Sequence, residues 1–179
     1  MERKIIEHCA PTLAGLKCGN MFKVTDRERA DMEVARMNDH LGPRGVSVRI
    51  MFSCASRDLV LVYREGMLGE RLSSPGVPEL LKEIGYDCSS VPSCLTTLSE
   101  RMSRGEMPPE VGIFLGYPLE DVRGFMENKG RRCKAIGCWK VYGDEESAAK
   151  TFSKYRKCRD VFLRKYDAGF PLTKLAVSA

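Results

Sequence analysis

Cys9 stands where a thiol could be made reactive. It lies two residues before Pro11 in the run His8-Cys9-Ala10-Pro11, and proline suits the first position of a helix. A helix starting there would hold the thiol at its amino end, where free backbone donors and the partial positive charge favour a thiolate. A thiolate with a base nearby is the pairing that nucleophilic catalysis needs. His8 is adjacent, but neighbouring side chains on extended backbone point to opposite sides. The base would therefore come from His40 or from a tyrosine brought in by folding. The same residues also suit a redox or ligand-binding thiol, or a packed cysteine beside a structural histidine.

Three further groups carry chemistry. Lys17 and Asn20, three apart, share a face if the chain is helical there and could meet a polar ligand. Gly116, Tyr117 and Pro118 form a tight turn at the end of the apolar run Val111–Leu115, the kind of place where ligands sit at the carboxyl end of a strand. Glu120 and Asp121 follow at once; two acids there complement a helix dipole and oppose a bound phosphate. Trp139, the single tryptophan, is either core or the aromatic wall of a pocket. No two of the eight cysteines have the two-residue spacing of zinc or dithiol motifs. With two histidines in the chain, no metal is assigned, and the cofactor is left unassigned.

The residues between Pro11 and about Phe22 predict a helix. Thr25 and Glu28 form a capping box that starts a second helix at Asp26, stopped by Gly42-Pro43. Val46–Cys54 alternates, with Val46, Val48, Ile50 and Phe52 on the drier face, and Leu59–Tyr63 is a continuous apolar run; the two predict a hairpin whose second strand is the more central. Short helices are expected over Pro78–Ile84 and Pro92–Met102. Val111–Leu115 as strand, Leu119–Gly130 as helix and Ala135–Tyr142 as strand fit a right-handed parallel crossover. A long helix follows, capped by Asp144, and the tail from Phe170 is an edge strand or loose. The fold expected is α/β in one domain spanning residues 1–179. Its mixed sheet has about four strands, an N-terminal hairpin plus a parallel βαβ unit, with helices packed around it.

Composition narrows the class. The chain has 179 residues, 43% apolar and 30% charged, as in ordinary globular proteins. No apolar run approaches the roughly 20 residues of a membrane helix, and Ile5-Ile6 before Glu7 is no signal-peptide core, so a cytoplasmic location without membrane contact is expected. Charge is uneven: residues 1–100 carry 13 Lys+Arg against 14 Asp+Glu, and residues 101–179 carry 16 against 10. Lys150, Lys154, Lys157 and Arg164 would form a basic face on the last helix, suited to weak nucleic-acid contact or to solvent.

Three blocks together resemble a bacterial family of conserved hypothetical proteins found mainly in anaerobes. They are HCAPTLAGLKCGNMF (His8–Phe22), VGIFLGYPLEDVRGFMENKG (Val111–Gly130) and GCWKVYGDEESAAKTFSKYRKC (Gly137–Cys158). The resemblance spans most of the chain and implies no activity, cofactor or substrate. Relatives of that kind often carry a histidine just before the glutamate of the central block, where this chain has Pro109, so no role resting on that histidine transfers.

The leading expectation is a cytoplasmic protein that binds a small molecule or cofactor, with Cys9, Tyr117 and Lys17 lining the site. The alternatives are a nucleic-acid or protein adaptor using the basic last helix, and a cysteine-dependent enzyme centred on Cys9.

Overall fold

Ile5, Ile6, Cys9, Ala10 and Leu13 recur at helical spacing, and all five are fully buried. They form the inner face of helix α1 (Glu2–Leu13) in the computed structural model, which describes residues 1–25, 29–105 and 107–178. This corrects the expected helix from Pro11 to Phe22. Pro11 lies inside α1 near its end, where one missing donor is outweighed by the apolar face buried on either side of it.

The next stretch is strand β1 (Gly19–Val24). Phe22 and Val24 pack on the α1 side of the sheet and Met21 on the other, so the two-residue period prevails over the helical one. It prevails because β1 pairs along its whole length with the Leu59–Tyr63 run, from Gly19 opposite Tyr63 to Val24 opposite Asp58. Helix α2 (Ala30–Leu41) buries Ala30, Met37 and Leu41. The expected start at Asp26, and Glu28 of the expected Thr25–Glu28 capping box, lie outside the described residues.

Strands β2 (Ser47–Cys54) and β3 (Arg57–Tyr63) form the expected hairpin, and β3 is central in an antiparallel sheet ordered β1-β3-β2. Its apolar run is unbroken because both faces are covered: Leu59 and Leu61 join one core cluster, Val60 and Val62 the other. A bulge between Ile50 and Phe52 changes the facing of β2. Val48 and Ile50 pack with α1 and α2, whereas Met51 and Phe52 turn to the opposite cluster, so the uniform alternation expected of Val46–Cys54 holds only up to the bulge.

That opposite cluster is built by α3 (Glu65–Leu72), α4 (Val77–Glu83), α5 (Val91–Met102), α6 (Val111–Phe114) and α7 (Leu119–Glu127). Here the parallel crossover unit fails. The stretch expected as its first strand is the helical turn α6, begun by the backbone N–H groups of Val111 and Gly112 donating to the carbonyls of Pro108 and Pro109. Glu110 anchors it: 1% exposed, its carboxylate accepts from Arg101 Nε at 2.5 Å and from the Tyr86 hydroxyl at 3.0 Å. A run of five apolar residues between prolines and a glycine suits a buried helical turn as well as a strand, and only packing separates them. The expected second strand breaks at Gly137-Cys138 into β4 (Ala135–Ile136) and β5 (Lys140–Val141), an antiparallel pair.

Helix α8 (Glu145–Asp167) is capped as expected: the Asp144 carboxylate accepts from the backbone N–H groups of Glu146 and Ser147 at 2.9 and 3.1 Å. The tail forms a short helix, α9 (Leu172–Leu175), packed against α1 and α8. Buried Arg64 ties these parts together. Its guanidinium donates to the carbonyls of Thr12 and Leu13 at 2.6 Å, Val177 at 2.8 Å and Arg44 at 3.1 Å. Among the described residues, no helix is long and apolar enough to cross a membrane.

Candidate functional site

The end of α1, the link into β1, the turn between α6 and α7, the β4–β5 hairpin and α8 enclose a cavity of about 430 Å³. Each element contributes a distinct kind of group. Helix α1 supplies Glu7, His8 and Pro11, the link supplies Lys17, and the start of β1 supplies Asn20. Tyr117 and the hairpin residues Ile136–Cys138 form the opposite wall. Phe152, Tyr155, Arg156 and Arg159 come from α8; their spacing puts them on one helix face.

Lys17 is the chemical centre of this cavity. It is 5% exposed, and no acceptor among the described residues takes a hydrogen bond or ion pair from it. Its ammonium lies 5.1 Å from the centre of the Tyr117 ring and 5.7 Å from that of Tyr155, within reach of the negative ring faces. Burial lowers its pKa to about 8; the neighbouring Cys18, Cys138 and Cys9 thiols pull the other way. Burial also raises both Tyr117 and Tyr155 to about 12, so their hydroxyls stay protonated at neutral pH. The Tyr117 hydroxyl donates to the Cys138 carbonyl at 3.3 Å and that of Tyr155 to the Leu16 carbonyl at 3.5 Å.

The other groups tilt the cavity toward positive charge. Arg156 and Arg159 line its α8 side, with Arg159 also 3.4 Å from Asp160. Glu7 is its single carboxylate, held at 3.0 Å by Arg3. His8 is exposed and stacks on Phe22, ring centres 5.8 Å apart. Asn20 is oriented by Thr12, whose hydroxyl donates to its side-chain oxygen at 2.8 Å.

The structure thus brings together four residues singled out from sequence: His8, Lys17, Asn20 and Tyr117. Lys17 and Asn20 meet through a bend into β1, not through a shared helix. The others go elsewhere. Cys9 is not at a helix amino end; it is inside α1 and 0% exposed, and burial pushes its thiol well above the ordinary range, the reverse of an activated thiolate. Gly116, at φ +70°, sets the turn, and a side-chain carbon there would lie 3.0 Å from the Cys18 sulfur. Glu120 is exposed on α7.

Asp121 is 3% exposed and fully occupied. One oxygen accepts from Trp139 Nε1 at 2.6 Å, the other from the backbone N–H groups of Tyr142 and Gly143 at 2.6 and 2.8 Å. Trp139 is sandwiched behind the cavity wall, stacked on Tyr117 at 4.9 Å and edge-on to Phe152 at 4.5 Å. Both residues border a second, apolar cleft of about 300 Å³ on the far side of Tyr117, walled by Pro108, Pro109, Val122 and Phe125. Along α8, Lys150 is paired with Glu146 at 2.6 Å, and Lys154, Lys157 and Arg164 are exposed.

Sequence reasoning missed Phe152, Tyr155, Arg156 and Arg159 as a set. The available signal was their three-, one- and three-residue spacing, which mixes aromatic and cationic side chains on one helix face. No cluster of three or more His, Cys, Asp or Glu among the described residues could hold a metal ion.

Neither the curated proteins nor the solved structures yield a match to this chain. One family model does match, over residues 5–176, and its span takes in every wall of the cavity. The chain therefore belongs to the family described as Protein of unknown function (DUF3793).

Proposed function

We propose that this protein binds a small anionic molecule in the Lys17 cavity. The observation that carries the reading is Lys17 itself. A buried ammonium is costly unless an opposite charge or hydrogen-bond acceptors meet it, and this one has two tyrosine rings but no acceptor from the described residues. A carboxylate or phosphate entering the cavity would supply that acceptor. Arg156 and Arg159 would attract it along the α8 side, and Tyr117, Tyr155 and Phe152 would hold any flat apolar part. Glu7 is tied to Arg3, which weakens its pull on a cationic ligand.

Thermal melts with a panel of carboxylates and phosphates test the reading. An anion that binds the folded state raises the melting temperature as its concentration rises. The rise is expected for wild type and should be lost in Lys17→Met, at constant ionic strength. If every anion shifts both proteins equally, the cavity is not an anion site.

A further inference from the structure

We infer that Lys17 forms an imine with the ligand, so that the cavity takes an anionic aldehyde or ketone and holds it covalently and reversibly. This rests on the anion-binding reading and deepens it by naming the reactive group of the ligand.

Four observations converge. The first is the position of the amine: Lys17 is 5% exposed, yet it lines the open cavity. The second is the lack of any acceptor on it among the described residues. An amine engaged in an ion pair must break that pair before it can attack a carbonyl; Lys17 has none with any described residue. The third is its protonation: with its pKa near 8, roughly a tenth of Lys17 is free base at pH 7, against well under a thousandth for an ordinary lysine. Burial favours the free base, while the thiols of Cys18, Cys138 and Cys9 and the tyrosine faces favour the ammonium; Arg156 and Arg159 line the same cavity. Glu7 and His8 are the remaining titratable groups on the cavity wall. The fourth is the cationic side of the cavity: an anionic group drawn in by the Lys17 ammonium would stay with Arg156 and Arg159 when Lys17 loses its proton, and the carbonyl would then face the free amine.

The step balances without any oxidant or reductant. The Nζ lone pair adds to the carbonyl carbon and a proton moves from nitrogen to the oxygen, giving a carbinolamine. The C–O bond then breaks with loss of water and the nitrogen lone pair forms the C=N bond. Hydrolysis reverses it. Both tyrosine hydroxyls are committed to backbone carbonyls, which leaves His8, exposed on the same cavity wall, and water to carry the protons.

The test uses full-length wild-type protein with para-formylbenzoate and cyanoborohydride at pH 7, which reduces any imine to a stable secondary amine. Peptide mass spectrometry then locates the adduct. In parallel, calorimetry measures binding of para-(hydroxymethyl)benzoate, which has the same anionic ring but no carbonyl. Modification of Lys17 at least about tenfold faster than of the exposed Lys150 and Lys154, slowed by the alcohol as competitor, supports the inference. Adduct spread evenly over the lysines overturns it. If the alcohol binds but Lys17 stays unmodified, imine formation is wrong and the anion-binding reading stands. If the alcohol does not bind and Lys17 stays unmodified, both fall. No substituted protein is needed, so a folding defect cannot obscure the result.

Discussion

The indole N–H of Trp139 donates to the Asp121 carboxylate at 2.6 Å. That bond, with two more from the backbone of Tyr142 and Gly143 to the other oxygen, fastens the β4–β5 hairpin to the first turn of α7. The hairpin is the outer wall of the Lys17 cavity, so Asp121 supports the site without touching it. Asp121→Ala leaves three buried or part-buried donors without their acceptor and should cost about 3 kcal/mol. Chemical denaturation followed by Trp139 fluorescence measures this; a loss below about 1 kcal/mol would show that the carboxylate is not the fastening.

Arg64 joins four carbonyls from three separated segments. A lysine at that position has one ammonium and cannot reach all four. Arg64→Lys should therefore destabilise by about 2–4 kcal/mol, since carbonyls that are buried lose charged donors. Urea unfolding gives the value, and a nearly neutral change would mean that water replaces the guanidinium without loss.

Lys17 should make stability depend on pH. Its folded pKa, about 8, lies below the ordinary 10.5, so between these values the unfolded chain binds the extra proton and stability rises with pH. Below pH 8 the ammonium is present in both states and its burial penalty is felt in full, on the order of 3 kcal/mol. The thiols of Cys9 and Cys18, raised by burial, act in the opposite sense above pH 9, where the unfolded chain ionises them. Comparing wild type with Lys17→Met largely cancels the thiols. The substituted protein should be the more stable at pH 7, and the gap should narrow toward pH 10. A gap that does not change with pH would contradict the lowered pKa.

Thiol reactivity should follow exposure rather than sequence context. Cys138 is exposed, and hydrogen bonds from Ser56 lower the pKa of Cys54. These two should react first with iodoacetamide at neutral pH, and Cys9 last, only on unfolding. Timed alkylation with mass mapping decides it; early labelling of Cys9 would revive the thiol-enzyme alternative.

Tyr117→Phe removes one hydroxyl whose bond to the Cys138 carbonyl is long, at 3.3 Å, and keeps the ring that stacks on Trp139 and faces Lys17. Stability should fall by less than about 1 kcal/mol, and anion-induced stabilisation should persist. A melt showing large destabilisation would make the hydroxyl, not the ring, the important part.

Much of this architecture is legible in local patterns. The β2–β3 hairpin, the central place of β3 and the Asp144 cap follow from side-chain period and from a residue that satisfies free backbone donors where it stands. His8, Lys17, Asn20 and Tyr117 could be picked out as polar or aromatic residues beside turns. Where two local signals compete, the sequence does not decide. Pro11 reads as a helix start until the buried face of Ile5, Ile6 and Cys9 extends the helix across it. Val111–Leu115 reads as a strand until Glu110, held by Arg101 and Tyr86, sets a helical turn with no strand alongside. The site itself is a matter of tertiary structure. Lys17 is an unremarkable lysine in the chain; its lowered pKa, its two ring faces and its lack of an acceptor among the described residues exist only because β1 packs under α1 and α8 closes over them. Desolvation and charge proximity depend on distances between segments more than a hundred residues apart, and no local pattern carries that information.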